Sequence, residues 1–335
     1  MSFPSFRAAA VQAAPELLDL RAGIEKATAI IAQAAANGAR LLAFPECWIP
    51  GYPYWAWLDS PAWALRFTPR HFDNCMTADG PESQQLLRVA IEHGVHVSMG
   101  YSERDGGSLY IGQLFLNPET RTATPRRKLK ATFIERTLFG EGDGSDFQVL
   151  ETALGRIGSL CCWEHMNPLN KFAMYSQHEQ VHIAAWPGFS LYSGKAYALG
   201  PQLNNALSQV YAAEGGCFVL APSGIVTQAH QDMLCETDAH RALLPVGGGA
   251  AMIYGPDGRP LCDPIPHDQE GLLYADIDFA MIALAKAAAD PVGHYSRNDV
   301  FRLQFDPSRR LPVDRGAYVA EPGRAWTLED DEAAS

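Results

Sequence analysis

Between Phe6 and Glu46 the chain shows a strand pattern, a helix pattern and a second strand pattern, and this alternation restricts the possible fold more than any other feature. Phe6 to Gln12, Phe-Arg-Ala-Ala-Ala-Val-Gln, reads as the first strand. From about Arg21 to Asn37, the residues Ile24, Ala27, Ile31 and Ala34 share one face at helical spacing, with Gly38 as the stop. Arg40 to Phe44 returns to strand, and Glu46 follows directly. Such β-α-β units build sheets that helices cover.

The rest of the chain repeats the alternation. Pro81 to Glu92 reads as a helix ending at Gly94, and Val95 to Tyr101 and Leu109 to Leu116 read as strands paired around Asp105-Gly106-Gly107. After a strand over Arg156 to Cys161 come a helix over Asn170 to Glu179 and a strand over His182 to Trp186. Gln202 to Glu214 reads as helix and Cys217 to Ala221 as strand. Ala250 to Ile253 and Leu272 to Ile277 are the last strands, and Phe279 to Ala289 is a closing helix. Two halves of similar order predict an α/β fold with two helix-covered sheets in one domain. There is no internal repeat at the level of residues.

Two segments have neither period. Gly51 to Trp63, crowded with proline, tyrosine and tryptophan, reads as a loop that either walls an apolar pocket or packs on the core or a partner. Arg126 to Phe147 reads as a polar, glycine-rich loop carrying Lys128, Glu135 and Gly140-Glu141-Gly142-Asp143-Gly144. The chain after Leu303 reads as an extended tail or a partner-wrapping arm.

Composition excludes several classes of function. A chain of 335 residues, 47% hydrophobic, can fill a sizeable core. A net charge of -12 argues against nucleic acid or anionic membrane as a partner, and Arg126-Arg127-Lys128 is too short a basic run to change that. The seven cysteines show no metal-ligand spacing and fit a reduced cytoplasmic protein. Met-Ser-Phe-Pro-Ser-Phe-Arg carries no secretory pattern, and no apolar run reaches the ~20 residues a membrane helix needs.

The chemistry lies at the ends of strands. Arg156 to Met166, Arg-Ile-Gly-Ser-Leu-Cys-Cys-Trp-Glu-His-Met, starts as a buried strand and stops in two thiols, an indole, a carboxylate and an imidazole. Ligands bind at the carboxyl ends of strands in open α/β sheets, so Cys162 is a candidate nucleophile, with an inert buried thiol as the alternative. Glu46 follows another strand and Lys128 sits on the polar segment. An ammonium lowers a thiol pKa and a carboxylate takes its proton, so Glu46, Lys128 and Cys162 together form a nucleophilic set. Singly, the same residues read as a surface charge, a solvated cation and core filler.

Phe44-Pro45-Glu46, Arg127-Lys128-Leu129-Lys130 with Glu135-Arg136, and Cys161-Cys162-Trp163-Glu164-His165 resemble the three signature blocks of the nitrilase superfamily of carbon-nitrogen hydrolases. Trp48 to Pro53, Phe139 to Gly144 and Ala184 to Pro187 are similar to the true nitrilase branch, especially bacterial arylacetonitrilases, in order and spacing from about Phe6 to Leu303. The resemblance implies a four-layer α-β-β-α sandwich over residues 1–303 and homodimers or larger spiral oligomers, and it leaves residues 304–335 as a C-terminal tail or assembly arm. It implies no metal and no organic cofactor.

By the same resemblance Cys162 is the nucleophile, Lys128 the cation that stabilises developing negative charge, Glu46 the general base, and Glu135 a second glutamate that orients the lysine. Tyr52, Tyr54, Trp186 and Pro187 are expected around the organic group of the substrate. Trp163, Glu164 and His165 complete the expected binding set, with a structural role for His165 equally open. The implied reaction converts an aromatic or arylaliphatic nitrile to acid and ammonia through thioimidate and thioester intermediates. Alternatives are cyanide hydration, hydrolysis of aliphatic nitriles or amides, and a scaffold without turnover. Ala131 and Phe133 replace a proline and a histidine usual in close relatives, and Gly188 replaces a serine.

Overall fold

The computed structural model describes residues 5–310 and 324–328, and its strands form two sheets. The first half supplies β1 (Ser5–Ala13), β2 (Ala39–Ala43), β3 (His96–Asp105), β4 (Ser108–Asn117) and β5 (Thr122–Arg127). The second supplies β6 (Leu150–Thr152), β7 (Gly155–Cys161), β8 (Val181–Ala185), β9 (Phe218–Ala221), β10 (Ser223–Gly224), β11 (Met252–Tyr254) and β12 (Gly271–Asp278). A short β13 (Trp326–Thr327) ends the described chain. One sheet has the order β10-β1-β2-β3-β4-β5-β13 with β12 also paired to β1, and the other has the order β11-β9-β8-β7-β6.

Side-chain alternation along each strand builds the layers. In β1, Ala9 and Val11 face α1 (Leu20–Ala36) and α2 (Pro81–His93), whereas Ala8 and Ala10 face the second sheet. In β8, Ile183 and Ala185 meet the first sheet and Ala184 faces α3 (Pro168–Tyr175) and α4 (Pro201–Gly215). The result is a four-layer α-β-β-α sandwich. Ile24, Ala27, Ile31 and Ala34 are all buried on α1, which starts where the Asp19 carboxylate accepts the Ala22 amide. The helix α2 ends at Gly94, whose φ of +65° is the left-handed cap.

Several expected boundaries move. The helix expected over Asn170 to Glu179 stops at Tyr175; His178, at φ +58°, turns the chain and Glu179 enters the interior. The segment expected as loop from Gly51 to Trp63 holds a 3-10 turn over Tyr54–Trp57 and starts a short helix at Pro61. Arg126 and Arg127, expected in a loop, are the last residues of β5, and short turns at Phe133–Thr137 and Gly144–Asp146 follow. The sheets also do not divide with the sequence, because β12 pairs with β1 from Ser5↔Asp278 to Gln12↔Gly271.

The expected tail is partly visible. Its residues 311–323 and 329–335 lie outside the described residues. Arg324 bonds Glu103 at 2.7 Å and Asp146 at 3.2 Å, and Trp326–Thr327 pairs with β5, so this piece forms a sheet edge in its own chain. No helix among the described residues is long and apolar enough to cross a membrane, and all seven cysteines are free.

Candidate active site

Topology brings the strand ends together. β2 and β3 are parallel, β4 is antiparallel to β3, and β5 is antiparallel to β4, so β2 and β5 end on the same side. Glu46 follows β2, and its amide donates to the Trp186 carbonyl at 3.1 Å, which joins the strand ends of the two sheets. A Cβ at position 100 of β3 would stand 1.9 Å from the Pro45 carbonyl oxygen; glycine there lets the Pro45-Glu46 turn lie on the strand. Lys128 follows β5 two residues after Arg126, at the spacing that puts two side chains on one face.

Cys162 follows β7 directly, at φ +46°, and opens a 3-10 turn over Cys162–Met166. A non-glycine residue in that region stores about 1–3 kcal/mol and persists only where its surroundings enforce it. Glu164 supplies the enforcement. Its carboxylate accepts the Cys161 amide at 2.7 Å and the Leu129 amide at 2.9 Å, and receives a two-pronged Arg126 guanidinium at 2.9 Å. It therefore ties the cysteine strand end to the lysine segment.

The Lys128 ammonium lies 3.2 and 3.4 Å from the two Glu46 oxygens and 2.8 Å from Glu135 Oε2. Glu135 Oε2 also accepts the Thr132 amide at 2.6 Å, and its Oε1 accepts the Tyr52 hydroxyl at 2.7 Å. Trp57 Nε1 donates to that hydroxyl at 3.2 Å, so a chain of donors fixes the Glu135 carboxylate. Burial opposes charge on Lys128, yet Glu135 and Glu46 hold its pKa well above the ordinary value. Burial raises the Glu46 carboxyl to about 8, against the lowering effect of Lys128. Burial also pushes the Cys162 thiol well above its usual range, while Lys128 and the Trp163 amide favour the thiolate. The resting sulfur is a thiol that needs a base to become a nucleophile.

Cys162 and Glu135 both line a narrow cavity of about 40 Å³. Lys128 bonds Glu135 from behind this wall, and Glu46 bonds Lys128 in turn. Of the expected binding residues, Tyr52, Trp163, Trp186 and Pro187 line the cavity. The indoles are fixed by hydrogen bonds, Trp163 to Asn204 Oδ1 at 3.0 Å and Trp186 to Ser208 Oγ at 2.9 Å.

Tyr54, Glu164 and His165, expected to contact substrate, do not line it. The Tyr54 hydroxyl turns away to accept the Gly188 amide at 3.1 Å, which supports the Pro187-Gly188 wall from outside. Glu164 is consumed by Arg126 and two backbone amides. His165 is fully buried, 2.6 Å from the Cys162 carbonyl and stacked under Trp186 at 5.3 Å.

Trp57, Thr132, Phe189 and Asn204 also line the cavity, and sequence reading did not single them out for binding. Trp57 was within reach, since it belongs to the aromatic segment after Glu46. Arg126 was also readable from its alternation with Lys128. Of the unusual positions, Ala131 is buried and Phe133 is 68% exposed at φ +45°, its ring 5.8 Å from that of Trp57 at the cavity wall. A Cβ at Gly188 would stand 2.7 Å from the Tyr54 hydroxyl and 2.9 Å from the Gly224 carbonyl, so a serine here requires both to shift.

The Glu164 arrangement gives an expected outcome for stability. Glu164→Leu leaves a buried guanidinium and two amides without their acceptor. It is expected to lower unfolding free energy by about 3–5 kcal/mol, the range for breaking a buried ion pair. Urea unfolding of the two proteins measures this; a loss below about 1 kcal/mol, the level of an exposed pair, contradicts the strut role.

Comparison with known proteins adds to the geometry. The carbon-nitrogen hydrolase family model matches residues 7–287. The chain is 53% identical over 302 residues to a nitrilase of Pseudomonas syringae pv. syringae, covering 90% of each protein. It is 50% identical over 309 residues to an arylacetone-specific nitrilase of Alcaligenes faecalis, covering 92% of this chain and 87% of the relative. It is 49% identical over 311 residues to an aliphatic nitrilase of Rhodococcus rhodochrous, with 92% and 85% covered. Among solved structures, a carbon-nitrogen hydrolase of Helicobacter pylori superposes with a TM-score of 0.69 at 18% identity, covering 89% of this chain and 97% of that one.

Proposed function

The chain belongs to the carbon-nitrogen hydrolase family and is a nitrilase, and on that premise we propose that it hydrolyses aromatic or arylaliphatic nitriles through a covalent bond to Cys162. The observation that carries the reading is the buried Lys128 ammonium held between Glu46 and Glu135, whose carboxylate lines one cavity with Cys162.

The tasks divide among the groups. Glu46 takes the Cys162 proton and the sulfur adds to the nitrile carbon, so that the C≡N bond becomes a thioimidate whose nitrogen is protonated. Water activated by Glu46 adds to the same carbon. Lys128, with the Trp163 amide, stabilises the charge of the tetrahedral species. Ammonia leaves, a thioester remains, and a second water releases the acid and restores the thiol. If the tetrahedral species expels sulfur instead, an amide forms. Glu135, fixed by Tyr52 and the Thr132 amide, holds the ammonium in place.

Tyr52, Trp57, Trp163, Trp186 and Phe189 around the cavity support an aromatic substrate, because fixed rings offer stacking surfaces and exclude water. The cavity is small, so binding of an aryl group requires the rim near Trp57 and Phe133 to yield. The likeness to an aliphatic nitrilase makes short alkyl nitriles the competing substrates. A panel of phenylacetonitrile, benzonitrile, butyronitrile and cyanide, scored separately for acid, amide and ammonia, tests the choice. The aryl compounds are expected to exceed butyronitrile by about tenfold or more in kcat/KM, the scale of lost pocket contacts. The reverse order overturns the aromatic reading.

A further inference from the structure

Behind the Cys162 strand end runs a line of buried groups that the steps above do not use. His165 Nδ1 lies 2.6 Å from the Cys162 carbonyl oxygen, and its Nε2 lies 2.9 Å from His182 Nε2. His182 Nδ1 lies 2.7 Å from Glu179 Oε1, and the Tyr211 hydroxyl donates to Glu179 Oε2 at 2.7 Å. All four side chains are buried.

Donor and acceptor chemistry assigns a direction to every bond. A carbonyl only accepts, so His165 carries its proton on Nδ1 and, being neutral, accepts at Nε2. His182 must then donate from its Nε2. A neutral His182 has a bare Nδ1, which requires Glu179 to be a carboxylic acid donating from Oε1. Shifting that one proton along the Glu179–His182 bond gives a carboxylate and an imidazolium without changing any other bond. In both forms the pair holds one proton more than a neutral imidazole and a free carboxylate.

Burial favours the form without charges. It raises the Glu179 carboxyl to about 8, against the lowering effects of Tyr211 and Lys286, and depresses both imidazoles, His165 to about 3. The fold makes room for this carboxyl, since a Cβ at Gly158 would stand 2.0 Å from Glu179 Oε1.

The far end of the line reaches the reaction. The Cys162 carbonyl and the Trp163 amide are two ends of one peptide group, and that amide favours the thiolate form of the adjoining Cys162 sulfur. A donor at the carbonyl polarises the peptide and strengthens its N–H, as in any cooperative hydrogen-bond chain. We propose that His165, held in one tautomer by His182 and Glu179, is a positioning residue that strengthens the Trp163 amide as a donor to the Cys162 sulfur. This rests on the reading of Cys162 as nucleophile.

Four variants of the full chain test it: His165→Asn keeps an N–H near the Nδ1 position, His165→Leu keeps size without a donor, Glu179→Gln keeps both bond directions, and Glu179→Leu keeps neither. Steady-state kcat and KM with the best nitrile of the panel are measured beside the rate of Cys162 alkylation by iodoacetamide, followed by mass. Deleting an oxyanion donor lowers kcat by about 10²–10³-fold, so weakening one is expected to lower kcat and alkylation by about tenfold in the leucine variants, with KM nearly unchanged. The His165→Asn and Glu179→Gln variants are expected within about threefold of the parent, a residual loss of under 1 kcal/mol. Equal rates in the leucine and amide variants at either position overturn the proposal. If His165→Leu does not fold, the Glu179 pair decides. If the parent turns over no nitrile, the substrate reading fails, and the alkylation rates still decide the role of His165.

Discussion

Cys162→Ala is expected to remove nitrile hydrolysis, with kcat reduced by about 10⁴-fold or more, because loss of a covalent nucleophile leaves only binding and electrostatics. No other described thiol is placed to replace it. Cys161, its neighbour, points into the core 3.8 Å from the Arg126 guanidinium, and burial raises its pKa well above the usual thiol value. Cys161→Ala is therefore expected to keep activity within about threefold, a barrier change of under 1 kcal/mol. Ammonia release and intact mass after incubation with nitrile read both variants. The parent and the Cys161 variant carry the adduct, and the Cys162 variant carries none. Turnover surviving in Cys162→Ala would end the covalent reading.

Lys128→Met is the second large effect, because it removes the only cation bonded to both Glu46 and Glu135 among the described residues. Its kcat is expected to fall by about 10³-fold, the upper range for losing one stabiliser of a tetrahedral oxyanion. The pH profile separates this from simple misfolding. Glu46 acts as base only when ionised, and burial raises its carboxyl to about 8 while Lys128 pulls it down. In the parent, kcat/KM is expected to rise as pH increases through about 8, a limb that belongs to the three buried groups together. Without the ammonium the opposing pull is gone and Glu135 still repels, so the limb moves to higher pH. A limb unmoved in Lys128→Met would show that another group is the base.

The regular elements were legible because their signal is local. The apolar spacing of Ile24, Ala27, Ile31 and Ala34 located α1, and all four are buried. Alternation failed where a distant partner decided. Glu179 sat in an expected helix, yet its carboxyl turns inward to His182 and Tyr211, contacts that no nearby residue announces. Tyr54, Glu164 and His165 belong to the segments expected to form the site, but each side chain finds a nearer partner behind it. Arg126, assigned to a loop, is the buried cation that Glu164 needs.

By itself the sequence determined most of the long strands and helices, and that Glu46 and Cys162 stand just past strands, since both follow from short-range periodicity and motif spacing; that Lys128 also follows a strand, β5, came from the structure. Only the tertiary structure decided that β12 joins the first sheet, that Lys128 lies between two glutamates, and which aromatic rings reach the cavity. The physical reason is that spacing along a strand sets which face a residue takes, whereas past the strand end a side chain points wherever the packing of the two sheets leaves it a partner.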